Sequence, residues 1–395
     1  SRGLGDVYKR QGQRYPLLDA LRGFALLGIL LVNMEGYATS FDGAGWGDFD
    51  GTANDVGVAI ITSLAALKFY TLFSLLFGYG LAVQLMRAGD LDALLPRYRR
   101  RLLGLFILGL AHAVLFYWGD ILMLYALVGL TLIPLSRMDD RRVLRAAGIV
   151  FGAGALLIVL AGVLALAAGS VETDPAAVEA ARVAYAEGSF GDIVAQRIED
   201  AVVGQILVLL AQGPTVFAAF ALGLVLGRRG VLARPAEHRR LFRRVVAVGL
   251  PVGLVGGLVA AALDPLGSGS ASGLGLIVLF LAAPFLTLAY VALFGLAPES
   301  LVRSRAFSLL RAPGRMSLSV YLLESIIAAF IFTSMGFGQF QNIDAGQAVL
   351  IALALWLGLA LLSIAWMRAF RFGPFEWLLR SWTYRRAQPM SRGAM

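Results

Sequence analysis

Apolar side chains along this chain gather into long runs, and the charged ones are confined to short stretches between them. The runs are about 18 to 26 residues long, enough at 1.5 Å per helical residue to cross a hydrocarbon core of about 30 Å. Ten spans are predicted, near residues 17–36, 69–86, 102–118, 121–135, 146–168, 202–226, 245–263, 273–296, 316–335 and 346–367. The fourth is short. The stretch 56–67 (VGVAIITSLAAL) reads as a re-entrant or interfacial helix before the second span, with Lys68 snorkelling at the outer surface. The predicted fold class is all-α: a polytopic transmembrane helix bundle.

The charges fix an orientation, because cytoplasmic loops of membrane proteins collect Lys and Arg. Twenty-six of the 34 basic residues fall in alternate loops: 87–101, 137–145, 228–244, 303–315 and 368–392. The intervening loops hold only Arg182 and Arg197, against Asp42, Asp48, Asp50, Asp55, Glu172, Asp174, Glu179, Glu187, Asp192, Asp264 and Asp344. Both termini are therefore expected inside. The net charge of +9 follows from this topology, so it does not imply a nucleic-acid partner, which would need basic side chains gathered on one solvated face. At 59% hydrophobic and 15% charged residues, the composition fits the same reading, and the expected partner is the lipid bilayer. The absence of Cys excludes disulfides and thiolate chemistry.

Residues 1–11 (SRGLGDVYKRQ) resemble read-through of a sequencing adapter and are expected to be a non-native leader. Residues 12–386 are expected to form one transmembrane helical domain, with a helical hairpin at 170–200 on the outer face and a disordered cytoplasmic tail at 387–395. The aromatic and Arg-rich stretch 371–386 has the composition of an interfacial amphipathic helix. Pro214 and Pro284 mark two spans as candidates for broken helices.

Ionisable groups within hydrocarbon cost about 2.5 to 3.5 kcal/mol on insertion scales, so those that remain are candidates for chemistry. His112 lies about ten residues into the third span and Asp120 at its outer end. Glu324 falls near the midplane of the ninth. His112 reads either as a hydrogen-bonded core histidine or as a general base in a polar cavity. Glu324 reads as a proton carrier, a cation ligand or a partner of His112. Asp19 and Arg22, three residues apart on one face of the first span, read as a local ion pair or as part of a site. The candidate catalytic set is His112, Asp120, Glu324 and Asp19; the candidate substrate-binding set is Arg22, Asn33 and Arg315. With two His on opposite sides of the membrane and no Cys, no metal site is expected. Gly78-Tyr79-Gly80 reads as close helix packing.

The stretch Leu18-Asp19-Ala20-Leu21-Arg22-Gly23 through Asn33, with Lys68-Phe69 and Leu72 to Gly80, resembles the YeiB-like bacterial membrane proteins, the domain of unknown function 418. The resemblance continues at His112, Trp118-Gly119-Asp120, Gly314-Arg315-Met316, Tyr321-Leu322-Leu323 and Phe372 to Trp377. It implies a multi-pass protein of the inner membrane. The opening motif is also similar to that of transmembrane acyltransferases, which carry acyl groups from cytoplasmic acyl-CoA to acceptors across the membrane. In their sugar O-acyltransferase branch a His follows the motif's Asp by fourteen positions, where this chain has Asn33. The heparan-glucosaminide branch places its His in the next outer loop, and residues 34–67 here contain none. No catalytic residue therefore carries over.

Two functions remain open. In the first, Arg22, Arg315 and the inner Arg clusters hold the phosphates of an acyl-CoA co-substrate, with no resident cofactor. His112 then acts as base or acyl carrier toward a small-molecule or glycan acceptor, positioned by Asp120 or Glu324. In the second, Glu324 makes the protein a proton-coupled transporter or exporter of a small metabolite.

Overall fold

The computed structural model describes residues 15–43, 45–168, 174–263 and 271–392, so the expected leader lies outside the described residues. Among them are fifteen α-helices: α1 (Pro16–Ala38), α2 (Thr52–Ile60), α3 (Phe69–Ala88), α4 (Leu91–Leu115), α5 (Leu122–Leu135), α6 (Asp140–Ala168), α7 (Pro175–Ala186), α8 (Phe190–Arg228), α9 (Arg239–Ala262), α10 (Ser272–Leu296), α11 (Glu299–Arg303), α12 (Ser308–Arg315), α13 (Ser317–Phe332), α14 (Ala345–Ala369) and α15 (Pro374–Tyr384). Local sequence sets several ends. Ser189 with Asp192, and Asp344 with Gln347, form capping boxes at the starts of α8 and α14. Gly89 closes α3 in the left-handed conformation.

Seven helical stretches among the described residues are long and apolar enough to cross a membrane, and a bent pair makes an eighth. The seven include Thr52–Ala88, which joins the 56–67 stretch to the second expected span. The third and fourth expected spans are α4, whose N-terminal half carries Arg97, Arg99, Arg100 and Arg101, and α5, which has 14 residues. At 1.5 Å per residue α5 is about 21 Å long, short of a full hydrocarbon core. These two helices pack as a hairpin whose tip holds Trp118 and Asp120.

Outer helices present their apolar side chains outward: Ile149, Leu156 and Leu164 on α6 and Val255 and Leu258 on α9 are all more than half exposed. In water this would be an aggregating surface; in a bilayer, lipid covers it. The core forms around α1 and α3, with Leu21, Leu26, Leu72, Leu75 and Tyr79 nearly inaccessible. Small residues bring α3 and α8 together: a Cβ on Gly78 would lie 2.0 Å from the Phe220 carbonyl oxygen, and one on Gly223 2.0 Å from that of Leu75. The sequence reading of Gly78 as a packing residue matches this contact.

Two expectations are corrected. Lys68 does not snorkel outward. It is 0% exposed, because a π-helical turn at Ile61–Ala65 and a left-handed Leu67 (φ 64°) turn it inward, where Nζ donates to the Thr62 carbonyl at 2.5 Å. Pro214 and Pro284 sit inside unbroken helices. The broken element is instead α12 with α13, bent by 91° at Met316. The helical hairpin expected at 170–200 is α7 against the start of α8, which runs on without interruption for 39 residues. Beyond α15, residues of the expected tail are held to the body. Arg371 N–H donates to the Met390 carbonyl, Arg392 N–H to that of Ala369, and Phe370 bridges Ser391.

Candidate functional site

The α1–α12 contact brings two sequence motifs together. A Cβ on Gly23 would fall 1.8 Å from the Leu310 carbonyl oxygen, and one on Gly314 1.7 Å from that of Asp19, so only glycine permits this backbone approach. It sets Asp19, Arg22 and Arg315 on the wall of one cavity of about 810 Å3. Arg22 and Asp19 form an ion pair at 3.5 Å. The wall also carries Arg87, Arg97, Arg101, Arg371 and Arg380, so seven guanidinium groups face two carboxylates, Asp19 and Glu376. Such an excess of forked donors suits a multiply charged, phosphate-bearing anion. Arg101 Nε is buried with no hydrogen-bond partner among the described residues. The far wall is apolar, with Leu26, Ile29, Phe73, Leu105 and Leu122, and ends on Tyr125 and Tyr321.

One side of the cavity is formed by α15, through Glu376, Leu379, Arg380, Thr383 and Tyr384. Its Trp382 indole donates to the Arg100 carbonyl at 2.9 Å, and Arg100 Nε to the Thr383 carbonyl at 2.8 Å. The Glu376 carboxyl caps α13 just past the bend, accepting Leu318 N–H at 2.6 Å, Ser319 N–H at 3.2 Å and the Ser319 hydroxyl at 2.5 Å. Burial pushes the Glu376 carboxyl up from its ordinary value, although these donors oppose the shift. The folded protein thus holds the proton to higher pH than the unfolded chain does. Docking of α15 should be firmest near the ordinary Glu value of about 4.3 and weaken as pH rises through the raised one. Glu376→Gln keeps an acceptor for both N–H groups and should abolish that slope. Limited proteolysis at the α15 boundary between pH 4.5 and 7 reads it, and equal slopes in the two proteins would contradict the assignment.

His112 lies past the apolar end of the cavity. Its Nδ1 meets Asp120 Oδ2 at 2.9 Å with both side chains buried, while Asp120 Oδ1 accepts the Met123 N–H at 2.8 Å. A carboxylate on Nδ1 favours the tautomer whose Nε2 is a free acceptor, and Nε2 has no partner among the described residues. Tyr321, which lines the cavity, stands 5.0 Å from the imidazole by ring centroids. Arg97, Arg101, Leu105 and His112 share one face of α4, and His112 lies eleven positions beyond Arg101, about 16 Å along the axis.

Of the sequence-predicted residues, then, Asp19, Arg22 and Arg315 share the cavity, and His112 and Asp120 form a dyad beyond it. Glu324 joins neither: it is 1% exposed and both carboxyl oxygens lack a partner among the described residues. Asn33 is half-buried further out along α1 and outside the cavity wall. Sequence reasoning met Arg97, Arg101, Arg371 and Arg380 only as members of the inner clusters, as orientation signals and as a collective phosphate-binding charge, without singling any of them out. The i, i+4 spacing of Arg97 and Arg101 on the helix of His112 was the available clue.

A family described as "Protein of unknown function (DUF418)" matches residues 226–386. The uncharacterized protein YeiB of Escherichia coli (strain K12) is 32% identical over 393 residues, covering 95% of this chain and 98% of that protein. The uncharacterized protein YxaH of Bacillus subtilis (strain 168) is 31% identical over 410 residues, with 96% of each chain covered. The chain belongs to the YeiB-like family. A further relative, an uncharacterized 39.9 kDa protein in the amylase 3' region of Bacillus acidopullulyticus, is 26% identical over 393 residues, with 96% of each covered. No solved structure matches this YeiB-like protein. The family match covers α15 and the bend, and so part of the cavity wall, whereas His112 and Asp120 lie before it.

Proposed function

We propose that the protein spans the inner membrane ten times with both termini in the cytoplasm, and that it transfers an acyl group from cytoplasmic acyl-CoA to an acceptor at or across the membrane. The supporting observation is the face of α4, which carries Arg97 and Arg101 at the cavity wall and His112 three turns deeper. A donor with phosphates at one end and a thioester at the end of a long arm matches that separation. His112 Nε2 takes the proton of the acceptor's hydroxyl or amine as that group attacks the thioester carbonyl. The C–S bond then breaks, and the thiolate leaves with the proton from the imidazolium as free CoA. Asp120 holds the imidazole in register and offsets its charge. On this reading α4 and α5 cross as a thin hairpin, residues 12–386 form a single domain, and the acceptor is a small molecule or a glycan.

Acetyl-CoA labelled on the acetyl group tests this on purified protein, by release of CoA thiol and transfer of label. Arg101→Ala should raise the Kd for CoA by about tenfold, the effect of losing one charge-assisted contact. Unchanged affinity would remove Arg101 from the site. Glu324, whose carboxyl oxygens have no hydrogen-bond partner among the described residues, favours a second reading, proton-coupled transport. A pH-dependent flux in proteoliposomes that Glu324→Gln abolishes, with no CoA binding, would replace acyl transfer by it.

A further inference from the structure

Across His112 from the arginine-lined cavity lies a crevice of about 20 Å3 between the tip of the α4–α5 hairpin and the outer helices. Tyr37, Tyr117, Trp118, Tyr185 and Arg197 are among its walls. Arg197 is 3% exposed, unusual for a residue of the acidic outer face. Its only hydrogen bond to a described residue goes to the Leu115 carbonyl, and its guanidinium lies over the Tyr185 ring at 5.8 Å. It forms no ion pair with any described residue. Asp200, less than one turn away, is already engaged by the Tyr185 hydroxyl at 2.5 Å and by Gln196 at 2.9 Å. Asp200 is near enough to act on Arg197 electrostatically but not to form a direct ion pair; a buried cation without such a contact keeps much of its desolvation cost, and an anion seated directly on it recovers part of that. Its remaining guanidinium donors have no hydrogen-bond partner among the described residues.

The crevice adjoins the dyad. Tyr117 belongs to its wall and lies 6.3 Å from the His112 ring, as Tyr321 does from the other cavity at 5.0 Å. Its space depends on Gly36, where a Cβ would come within 2.8 Å of the Tyr117 hydroxyl. A water needs about 10 to 15 Å3 on the same measure, so the crevice admits one small group and leaves the rest of a molecule outside.

We propose that this crevice seats an anionic group, a carboxylate or a phosphate, on Arg197, as the subsite for an acceptor that arrives from the outer side. The acceptor role rests on the acyl-transfer reading; the anion site does not. Acetate and inorganic phosphate are the probes, titrated at constant ionic strength against chloride into the full chain in nanodiscs, with tryptophan fluorescence as the readout. One of them should give a saturable change that weakens about tenfold in Arg197→Met and partly in Arg197→Lys, which keeps the charge but loses the fork. Acetate alone identifies a carboxylate acceptor, phosphate alone a phosphorylated one. CoA binding should be unchanged in both variants. An equal response to chloride, no saturation, or wild-type affinity in folded Arg197→Met overturns the site. If CoA fails to bind the wild type while Arg197-dependent anion binding persists, acyl transfer fails and the anion site stands.

Discussion

Replacing His112 by asparagine should lower acyl transfer by about 10²- to 10⁴-fold, the usual weight of a general base. Asparagine is preferable to alanine as the test. Alanine would leave the Asp120 carboxylate buried with only the Met123 N–H as donor, and unfolding would be confused with lost chemistry. The asparagine amide restores a donor toward Asp120 and supplies nothing at Nε2. Asp120→Asn should cost a comparable factor by releasing the tautomer, with CoA affinity unchanged because neither residue lines the arginine-bearing cavity. Transfer rates with labelled acetyl-CoA, beside the melting temperature of each variant, give the answer. A folded His112→Asn protein with wild-type turnover would end the assignment.

Gly23→Ala and Gly314→Ala should each destabilise the protein by more than about 3 kcal/mol, beyond ordinary overpacking. The added methyl would stand 1.8 Å from the Leu310 carbonyl oxygen in one case and 1.7 Å from that of Asp19 in the other. Both neighbours are helix backbone, which does not yield without parting α1 from α12. That parting would also separate Arg22 from Arg315 and open the cavity on one side. Gly358→Ala is the control: a Cβ there meets nothing within 4 Å, and the change should be neutral or stabilising by up to about 1 kcal/mol. Monodisperse yield after extraction and melting temperature measure both effects. Wild-type melting of the Gly23 or Gly314 variant would show that the contact is looser than described.

Helices and their apolar faces were legible from local pattern, because hydrocarbon forces each backbone to satisfy its own hydrogen bonds and run length follows. The packing role of Gly78 was legible for a similar reason: small residues in an apolar helix have few other uses. What depended on neighbours distant in sequence was not. Lys68 reads as a snorkelling end residue until Leu67 turns it inward onto Thr62. Arg197 looks like an ordinary outer-loop charge until α8 runs through it unbroken and buries it against Leu115. The inner arginines were read as clusters, by the rule of positive charge inside and as a collective phosphate site; which of them converge on a cavity depends on helix packing, and only the i, i+4 spacing of Arg97 and Arg101 hinted at it. His112 and Asp120 were both picked out, and their pairing required the hairpin turn between α4 and α5.

That hairpin also acts on its surroundings. Leu103, Ile107 and Leu110 of α4 and Leu127 and Leu130 of α5 face outward, toward lipid, from a helix pair whose apolar height is set by the 14 residues of α5. Where α4 and α5 cross as proposed, a bilayer meeting a band about 9 Å shorter than its own core adjusts by thinning against it. Headgroups and water are drawn inward along this flank, toward the turn that carries Trp118 and Asp120. Membrane thickness therefore becomes a variable of the dyad's environment: thin, short-chain bilayers should relieve the mismatch and thick ones strain the hairpin beside His112.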